Sequence, residues 1–422
     1  MRVRPVGAAL LAALMLGTPL AAQDSAAAQD SLLERLERAE RAIERLQREI
    51  QTQDRSKVGS RLRNNVELSG MILVNGFSTT ARVNNSDVPT FVAVPQDSSG
   101  LTNAHLGGQV RQSRIGLTIS GANALGASLS GDFQLDFYGG QQPSSGGRTF
   151  PLPRIRTAFV RVDWNHWGLL VGQETQLASP LNPVSFASVG LPGFTNAGNL
   201  WFWIPQARLG FQSGGNPRIG AQGAIQAPML DRAQPPFLTQ PDSAERSRRP
   251  SLQGRAYVAW GFGDTESQLG VGIHRGWIGT TGDSLLTTEA ITADLRLMLG
   301  EKLMIQGEAF YNGRGLASLG GGGIGQQFGA GGAPVDSRGG WGQLNFRPTF
   351  EWEIGGGYGL DDPDDADLPA GARLKNTHLT GHLHYRPGGG LLVGAEFRRI
   401  ETTYSFGRIA ANHVNGFVGL AF

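Results

Sequence analysis

Charged side chains recur at alternate positions in several stretches of this 422-residue chain. Alternate residues of a β-strand point to the same side, so each such stretch carries its charges on one face. Arginines and carboxylates that face a common space can steer small ions, and they can also pair and neutralise one another. The candidate set holds both signs: Arg114, Arg161, Arg208, Arg255, Arg296, Asp132, Asp136 and Glu174.

Three histidines, His378, His382 and His384, share one face of another alternating stretch. Two imidazoles two residues apart can ligate a metal ion. The sequence places no acidic or cysteine partner beside them, so we expect ordinary polar lining and no metal. The sequence also contains no Ser-His-Asp constellation, nucleotide-binding loop or nucleic-acid module. We therefore expect neither an enzyme nor a cofactor, and no nucleic-acid partner.

These residues are predicted to lie on β-strands, because polar and apolar residues alternate with a period of two from Asn64 onward. Alternation by itself does not distinguish a soluble sandwich from a membrane barrel. About sixteen strands are predicted, near residues 65–77, 111–120, 126–138, 154–163, 167–175, 200–212, 217–226, 251–262, 266–276, 287–299, 302–313, 338–347, 350–360, 375–386, 390–402 and 408–422.

The connections favour an all-β, antiparallel transmembrane barrel. Short turns such as Asn165–His166 alternate with long loops such as 78–110 and 227–250, which is typical of bacterial outer-membrane barrels. Tyr and Trp near the strand ends predict an interfacial aromatic girdle. Sixteen strands enclose a water-filled channel. The charged set should line it, because an arginine facing lipid costs about 2–4 kcal/mol near the midplane. An anion-guiding arginine ladder and a mutually screened lining both remain open.

One long loop, 176–199, contains no Lys, Arg, Asp or Glu and is rich in Pro, Gly, Phe and Asn. A loop of this length without surface charge is not expected to extend into solvent. We expect it to fold into the barrel and narrow it. Its polar, uncharged residues would form the constriction: Asn182, Ser185, Ser188, Thr195 and Asn196.

The start of the chain is predicted to be a secretory signal, and its end resembles a barrel-assembly signal. Arg2 and Arg4 precede the apolar run Ala8–Leu16, which predicts a secretory signal over 1–22 with cleavage after Ala22. The last predicted strand has one largely apolar face and ends on Phe422, which resembles the assembly signal of outer-membrane barrels. The chain has 62 glycines, no cysteine and only 17% charged residues, a composition that suits a large sheet with glycine-rich loops.

Residues 23–63 are predicted to form a periplasmic coiled-coil segment and linker before a barrel domain over 64–422. Ser31 and Glu34 make a capping box. A heptad seam follows, formed by Leu32, Leu36, Ala39, Ile43, Leu46 and Ile50. The helix either associates between chains or lies on its own barrel. The seam permits a dimer as well as a trimer.

Several motifs resemble trimeric outer-membrane porins of the DcaP type, which are related to the phosphate-selective porins O and P. They are Arg111–Leu117 (RQSRIGL), Arg154–Val160 (RIRTAFV), Gly168–Thr175 (GLLVGQET) and Pro205–Arg208 (PQAR). The resemblance implies a homotrimer that passes small anions, including dicarboxylates, without energy input.

The function predicted from the sequence is a passive diffusion channel for small hydrophilic solutes, with an anion preference of the dicarboxylate kind. Its location would be the bacterial outer membrane, in contact with lipid and lipopolysaccharide, with the coil in the periplasm. The alternative is a barrel that acts as an adhesin or as a cell-wall tether, its coil contacting peptidoglycan. A membrane-embedded hydrolase has the least support, since no nucleophile and base are placed together.

Overall fold

The computed structural model describes residues 57–59, 64–95, 103–140, 151–230, 240–261, 263–280 and 284–422. These residues form a closed, 16-stranded antiparallel β-barrel and contain no helix of seven or more residues. Short 3-10 turns lie in the connections, at Glu245–Ser247, Gly263–Thr265, Leu316–Leu319, Gly322–Gly325, Ala330–Gly332 and Asp365–Asp367. The predicted signal segment 1–22 and coil seam 32–50 lie outside the described residues.

The strands run the length of the described chain. In order they are β1 Lys57–Gly59, β2 Asn65–Thr79, β3 His105–Gln109, β4 Arg114–Ala124, β5 Ala127–Asp136, β6 Arg154–Asp163, β7 Trp167–Thr175, β8 Trp203–Gln212, β9 Arg218–Gln226, β10 Ser251–Trp260, β11 Ser267–Gly279, β12 Leu285–Leu299, β13 Leu303–Arg314, β14 Asp336–Phe346, β15 Trp352–Pro363, β16 Lys375–Gly388, β17 Leu391–Tyr404 and β18 Gly407–Ala421.

The barrel closes because the last strand pairs with the first long one. Strand β18 runs antiparallel to β2, with Val418 opposite Val74. Strands β3 and β4 pair with opposite ends of β2 and together serve as the second barrel strand. The three-residue β1 is not one of the sixteen barrel strands. From there each strand pairs with the next in the sequence, through to β18. Closure leaves no free sheet edge, as a membrane-spanning sheet requires.

Burial is inverted relative to a soluble protein. On β2, Ile72 and Val74 are 56% and 51% exposed, whereas the intervening Leu73 and Asn75 are buried. Strand β18 repeats the pattern, with Val418 and Leu420 exposed and the neighbouring Asn415 and Phe417 buried. An apolar outer face and a largely polar inner face are what a barrel needs when lipid lies outside and water inside.

Most strand positions agree with those predicted, and three expectations need correction. Strand β3 lies inside the predicted long loop 78–110. The alternation of turns and loops is not strict, since the connections 280–284 and 405–406 are short at the long-loop end. The aromatic girdle is incomplete, because Tyr138, Trp201, Trp203 and Trp341 are buried inside the barrel.

No helix among the described residues is both long enough and apolar enough to cross a membrane.

Candidate functional site

The loop 176–199 lies inside the barrel and is bound mainly to the inner face of the wall that runs from β10 round to β2. Glu308 on β13 accepts hydrogen bonds from Ser179 Oγ at 2.5 Å and from the Leu181 amide at 2.6 Å. Gln343 on β14 both accepts from the Val184 amide and donates to its carbonyl, at 2.8 and 2.9 Å. Further inward side chains complete the attachment: Asn75, Gln112, Gln253, Thr292 and Glu396.

Apolar residues of the same loop fill the space between these polar contacts. Phe194 is buried and stacks on Trp341 with ring centroids 5.7 Å apart. Val189 and Phe186 pack against Met71, Leu73 and Phe417 of the wall. Burying large apolar side chains on folding is worth about 1.5–3 kcal/mol each. The uncharged composition of the loop is therefore explained by its internal position.

Two other connections pack against this loop. Thr90, in the connection after β2, accepts a hydrogen bond from Asn196 Nδ2 at 2.7 Å. The Leu319 carbonyl, in the connection after β13, accepts from Gln176 Nε2 at 3.3 Å and from the amides of Trp201 and Phe202, just after the loop, at 3.0 and 3.2 Å. Three connections thus meet at the same end of the barrel and fix one another.

The predicted constriction residues have different surroundings. Asn182 borders a cavity of about 280 Å³ between the loop and the wall, and its carbonyl accepts from Gln306. Ser185 donates to Glu396 and Ser188 contacts Arg398, so both face the wall. Thr195 donates to the carbonyl of Pro192. Asn196 contacts Thr90, as described above. Among these five polar residues, Asn182 is the one that lines the cavity.

The opposite wall, from β4 to β9, carries the solvent-facing charges. The cavity beside Asn182 is bordered there by Asp132, Arg156 and Glu174. A second cavity of about 310 Å³ lies nearer the short turn between β6 and β7 and is bordered by Arg161 and Arg208. Arg208 donates to the Thr175 carbonyl at 2.5 Å, and Arg161 pairs with Asp163 at 2.7 Å. Each of the two cavities along this wall is therefore bordered by side chains of both charges.

The other predicted lining residues differ in their pairing. Asp136 is fully buried and pairs with Arg154 and Arg156, at 2.7 and 2.9 Å. Arg255 pairs with Asp294 at 2.6 Å, both side chains being buried. Arg114 is exposed on the wall, opposite Asp136 in the register of β4 and β5. Arg296 is half-buried and opposite Gln268.

Arg154 and Arg156 are functional candidates absent from the predicted lining. The register between β5 and β6 shifts at Leu135, where a β-bulge lets both arginines reach Asp136. They also donate to the loop carbonyls of Gly190 and Val189, at 2.6 and 2.8 Å. A bulge reverses the alternation of faces, so counting back from inward-facing Arg161 by strand parity alone assigns both arginines to the outer face, although both contact buried Asp136.

The histidines fall into two groups. His378 is buried and lies 2.9 Å from the Thr90 carbonyl, away from any carboxylate. His382 and His384 lie beside Glu353 of the neighbouring strand β15. The acidic partner that the sequence did not reveal is therefore present in the fold.

Comparison with solved structures places the fold in a class. The chain is similar to the outer-membrane channel DcaP of Acinetobacter baumannii, with a TM-score of 0.64 and 16% identity over 87% of this chain and 100% of that chain. It is also similar to an anion-selective porin from Comamonas acidovorans, with a TM-score of 0.54 and 14% identity over 85% and 100% of the two chains. Salmonella typhi OmpF, in a complex with daunomycin, gives a TM-score of 0.52 and 9% identity over 87% and 100%.

The chain thus has the fold of the 16-stranded outer-membrane porins. Within that fold it resembles the DcaP channel more than it resembles the other two proteins. No protein-family model matches the sequence, and no curated protein matches it.

Proposed function

We propose that this protein is an outer-membrane porin, a passive diffusion channel for small hydrophilic solutes. The observation that carries the proposal is the arrangement inside the barrel. An uncharged loop is bound mainly to one wall, and cavities lined by charged side chains lie along the other wall. Sixteen-stranded barrels leave an aqueous channel when their interior is polar. The apolar outer face of β2 and β18 supports a position in lipid.

The proposed selectivity is a modest preference for anions, of the dicarboxylate kind. Arg156, Arg161 and Arg208 border the two cavities, and Arg114 is exposed nearby. Asp132, Asp163 and Glu174 lie among them, so the net field along the passage is weakly positive. Oppositely charged groups this close screen one another, which is the reason for expecting a bias rather than strict exclusion of cations.

The proposed assembly is a homotrimer in the bacterial outer membrane, with the N-terminal segment in the periplasm. The resemblance to DcaP-type porins supports the trimer. Partners would be membrane lipid, lipopolysaccharide and, through the coil, peptidoglycan.

Reconstitution of the purified protein into a planar lipid bilayer tests the function. A porin gives discrete current steps, and a trimer gives steps in groups of three. Folded protein that inserts into the bilayer without conducting would contradict the channel and favour a tethering or adhesive role.

A further inference from the structure

Three buried side chains of β15 and β16 converge on one point of the inner wall. Glu353 Oε1 lies 3.5 Å from His382 Nε2 and 3.5 Å from His384 Nδ1. These three atoms all lie within 4.8 Å of one another. Each is buried, and none forms a hydrogen bond within the described part of the chain. Buried polar atoms normally have partners, so three orphaned atoms at one point require an explanation.

His384 has a carboxylate beside each of its ring nitrogens, and Nδ1 is the nitrogen that faces Glu353. Its other nitrogen, Nε2, lies 3.1 Å from Glu396 Oε1, close enough to donate its proton there. In a neutral imidazole the remaining nitrogen, Nδ1, then carries a lone pair. With Nε2 directed at Glu396, Nδ1 is the nitrogen that can bind a metal ion held also by Glu353 Oε1. A carboxylate that orients a histidine in this way is the usual second layer of a metal site.

The Glu353 carboxylate is also oriented from behind. Its second oxygen, Oε2, accepts from Arg347 Nε at 2.5 Å and lies 3.4 Å from Arg386 Nη1. These arginines leave Oε1 directed at the histidines. Space beside His382 is kept by Gly355, because a Cβ at that position would lie only 2.6 Å from His382 Nε2.

We infer that Glu353, His382 and His384 bind one divalent transition-metal ion of the zinc type. Metal–ligand bonds of about 2.0–2.1 Å in a tetrahedral site place the ligand atoms about 3.3 Å apart, close to the 3.5 Å that separates Glu353 Oε1 from each histidine nitrogen. The two imidazole rings are stacked, with centroids 4.2 Å apart, so one ring must turn for both nitrogens to bind the same ion. Two imidazoles and one carboxylate are typical zinc ligands with a fourth position open. Calcium and magnesium prefer oxygen ligands, of which these three side chains supply too few.

The site would connect the wall to the loop 176–199. Glu396, which orients His384, also accepts hydrogen bonds from Ser185 Oγ and the Phe186 amide, both at 2.6 Å. The Phe186 ring covers His384 at a centroid distance of 5.0 Å. A bound ion would fix His384 and, through Glu396, this part of the loop.

Metal titration of the full chain, purified without a polyhistidine tag and stripped with a chelator, tests the assignment. Zn²⁺ retained after dialysis is counted by mass spectrometry, and Co²⁺ is used as a visible-absorption probe. We expect one ion per chain, no retention of Mg²⁺, and cobalt absorption bands of a four-coordinate nitrogen and oxygen site. Glu396→Gln should weaken Zn²⁺ affinity by about 10- to 100-fold, as loss of an orienting carboxylate does elsewhere.

The informative variant is His382→Gln, since His382 Nε2 makes no hydrogen bond that the substitution would break. It should abolish retention, whereas His378→Gln, on the same face of the same strand, should retain one ion. Gly355→Ala supplies an independent variant that keeps all three ligands and obstructs His382. The proposed site is wrong if folded wild-type protein retains no Zn²⁺. It is also wrong if His382→Gln retains as much Zn²⁺ as the wild type.

Discussion

Arg255 and Asp294 form a buried ion pair that spans an intervening strand. Arg255 Nη2 and Nε lie 2.6 and 2.8 Å from the two oxygens of Asp294, on β10 and β12 respectively. Between them, Gly270 of β11 provides the room, because a Cβ there would lie 2.3 Å from Asp294 Oδ2 and 2.7 Å from Arg255 Nη2. A side chain on the central strand would separate the two charges. The ion pair therefore depends on residues of three neighbouring strands, β10, β11 and β12.

Removing one partner of this pair should destabilise the barrel more than replacing both. Asp294→Asn leaves a buried arginine uncompensated, a change that costs about 3–5 kcal/mol in comparable buried pairs. Arg255→Leu combined with Asp294→Leu should recover most of that loss. The measurement is the free energy of unfolding from urea titrations in lipid vesicles. Asp163→Asn is the matched control, since the Arg161–Asp163 pair is partly exposed and worth at most about 1 kcal/mol. If Asp294→Asn and the double variant lose the same free energy of unfolding, the uncompensated arginine is not what destabilises the barrel.

Neutralising the arginines of the open wall should reduce anion preference. The triple change of Arg114, Arg161 and Arg208 to Gln should move the zero-current potential in a salt gradient toward cations. The shift should shrink at high salt, because the Debye length falls from about 10 Å at 0.1 M to about 3 Å at 1 M. Arg275→Gln is the control, since this arginine is exposed and pairs with Glu289 on the outer side. An unmoved potential would mean that Asp132, Asp163 and Glu174 already neutralise the wall.

Shortening the inner loop should raise single-channel conductance. Deletion of residues 185–198 removes the part of the loop that contacts Glu396, Trp341 and Thr90, and so opens the space which that part fills inside the barrel. The control is deletion of the exposed turn Ala330–Gly332, which lies in another long connection. Conductance should be unchanged in the control. If the two deletions behave alike while both barrels fold, the narrowest point lies elsewhere.

Much of the barrel follows from local sequence, since side-chain alternation and tight turns are local properties. The strands at 154–163 and 167–175 have the same first and last residues in the structure as in the prediction. The short turn between them marks where one strand ends and the next begins. The sequence does not predict strand β3, because its five residues lie within a long connection that shows no clear alternation of polar and apolar residues. The inward fold of loop 176–199 is suggested by its lack of charge, yet which polar residues face the passage depends on contacts with distant strands.

The convergence of Glu353 with His382 and His384 depends on the register between β15 and β16. That register places Glu353 opposite His384 and Gly355 opposite His382. The two strands are joined by the long connection 364–374, and a connection of that length does not fix register as a tight hairpin does. The partner of the histidines therefore could not be read from spacing. By contrast, Glu396 lies opposite His382 across the short turn between β16 and β17, so the expectation that no acidic residue lies beside the histidines could have been corrected from the hairpin alone.

The phenol of Tyr138 should make stability fall at alkaline pH. Tyr138 follows β5 and is buried, and its hydroxyl lies 3.2 Å from Asn85 Oδ1 and 3.3 Å from Asp87 Oδ1, either of which can accept its one proton. Burial, together with the nearby Asp87 carboxylate, raises the pKa of Tyr138 above the usual value of about 10. The folded chain thus holds the phenol proton more tightly than the unfolded chain. The resulting stabilisation is complete below about pH 10 and is lost as the pH rises from there toward the folded pKa.

Tyr138→Phe removes the titrating group and isolates this contribution. At pH 8 the variant should be less stable by about 1 kcal/mol, the usual value of a lost hydrogen bond. Between pH 8 and pH 11 its unfolding temperature should fall less than that of the wild type. Tyr311→Phe, at a tyrosine that is 63% exposed, should follow the wild type throughout. Ionising Tyr138 would place a second negative charge beside Asp87, and Arg111, whose guanidinium lies 4.0 Å from the ring centroid, already pairs with that carboxylate. If wild type and Tyr138→Phe lose stability in parallel, the phenol is not the group that titrates.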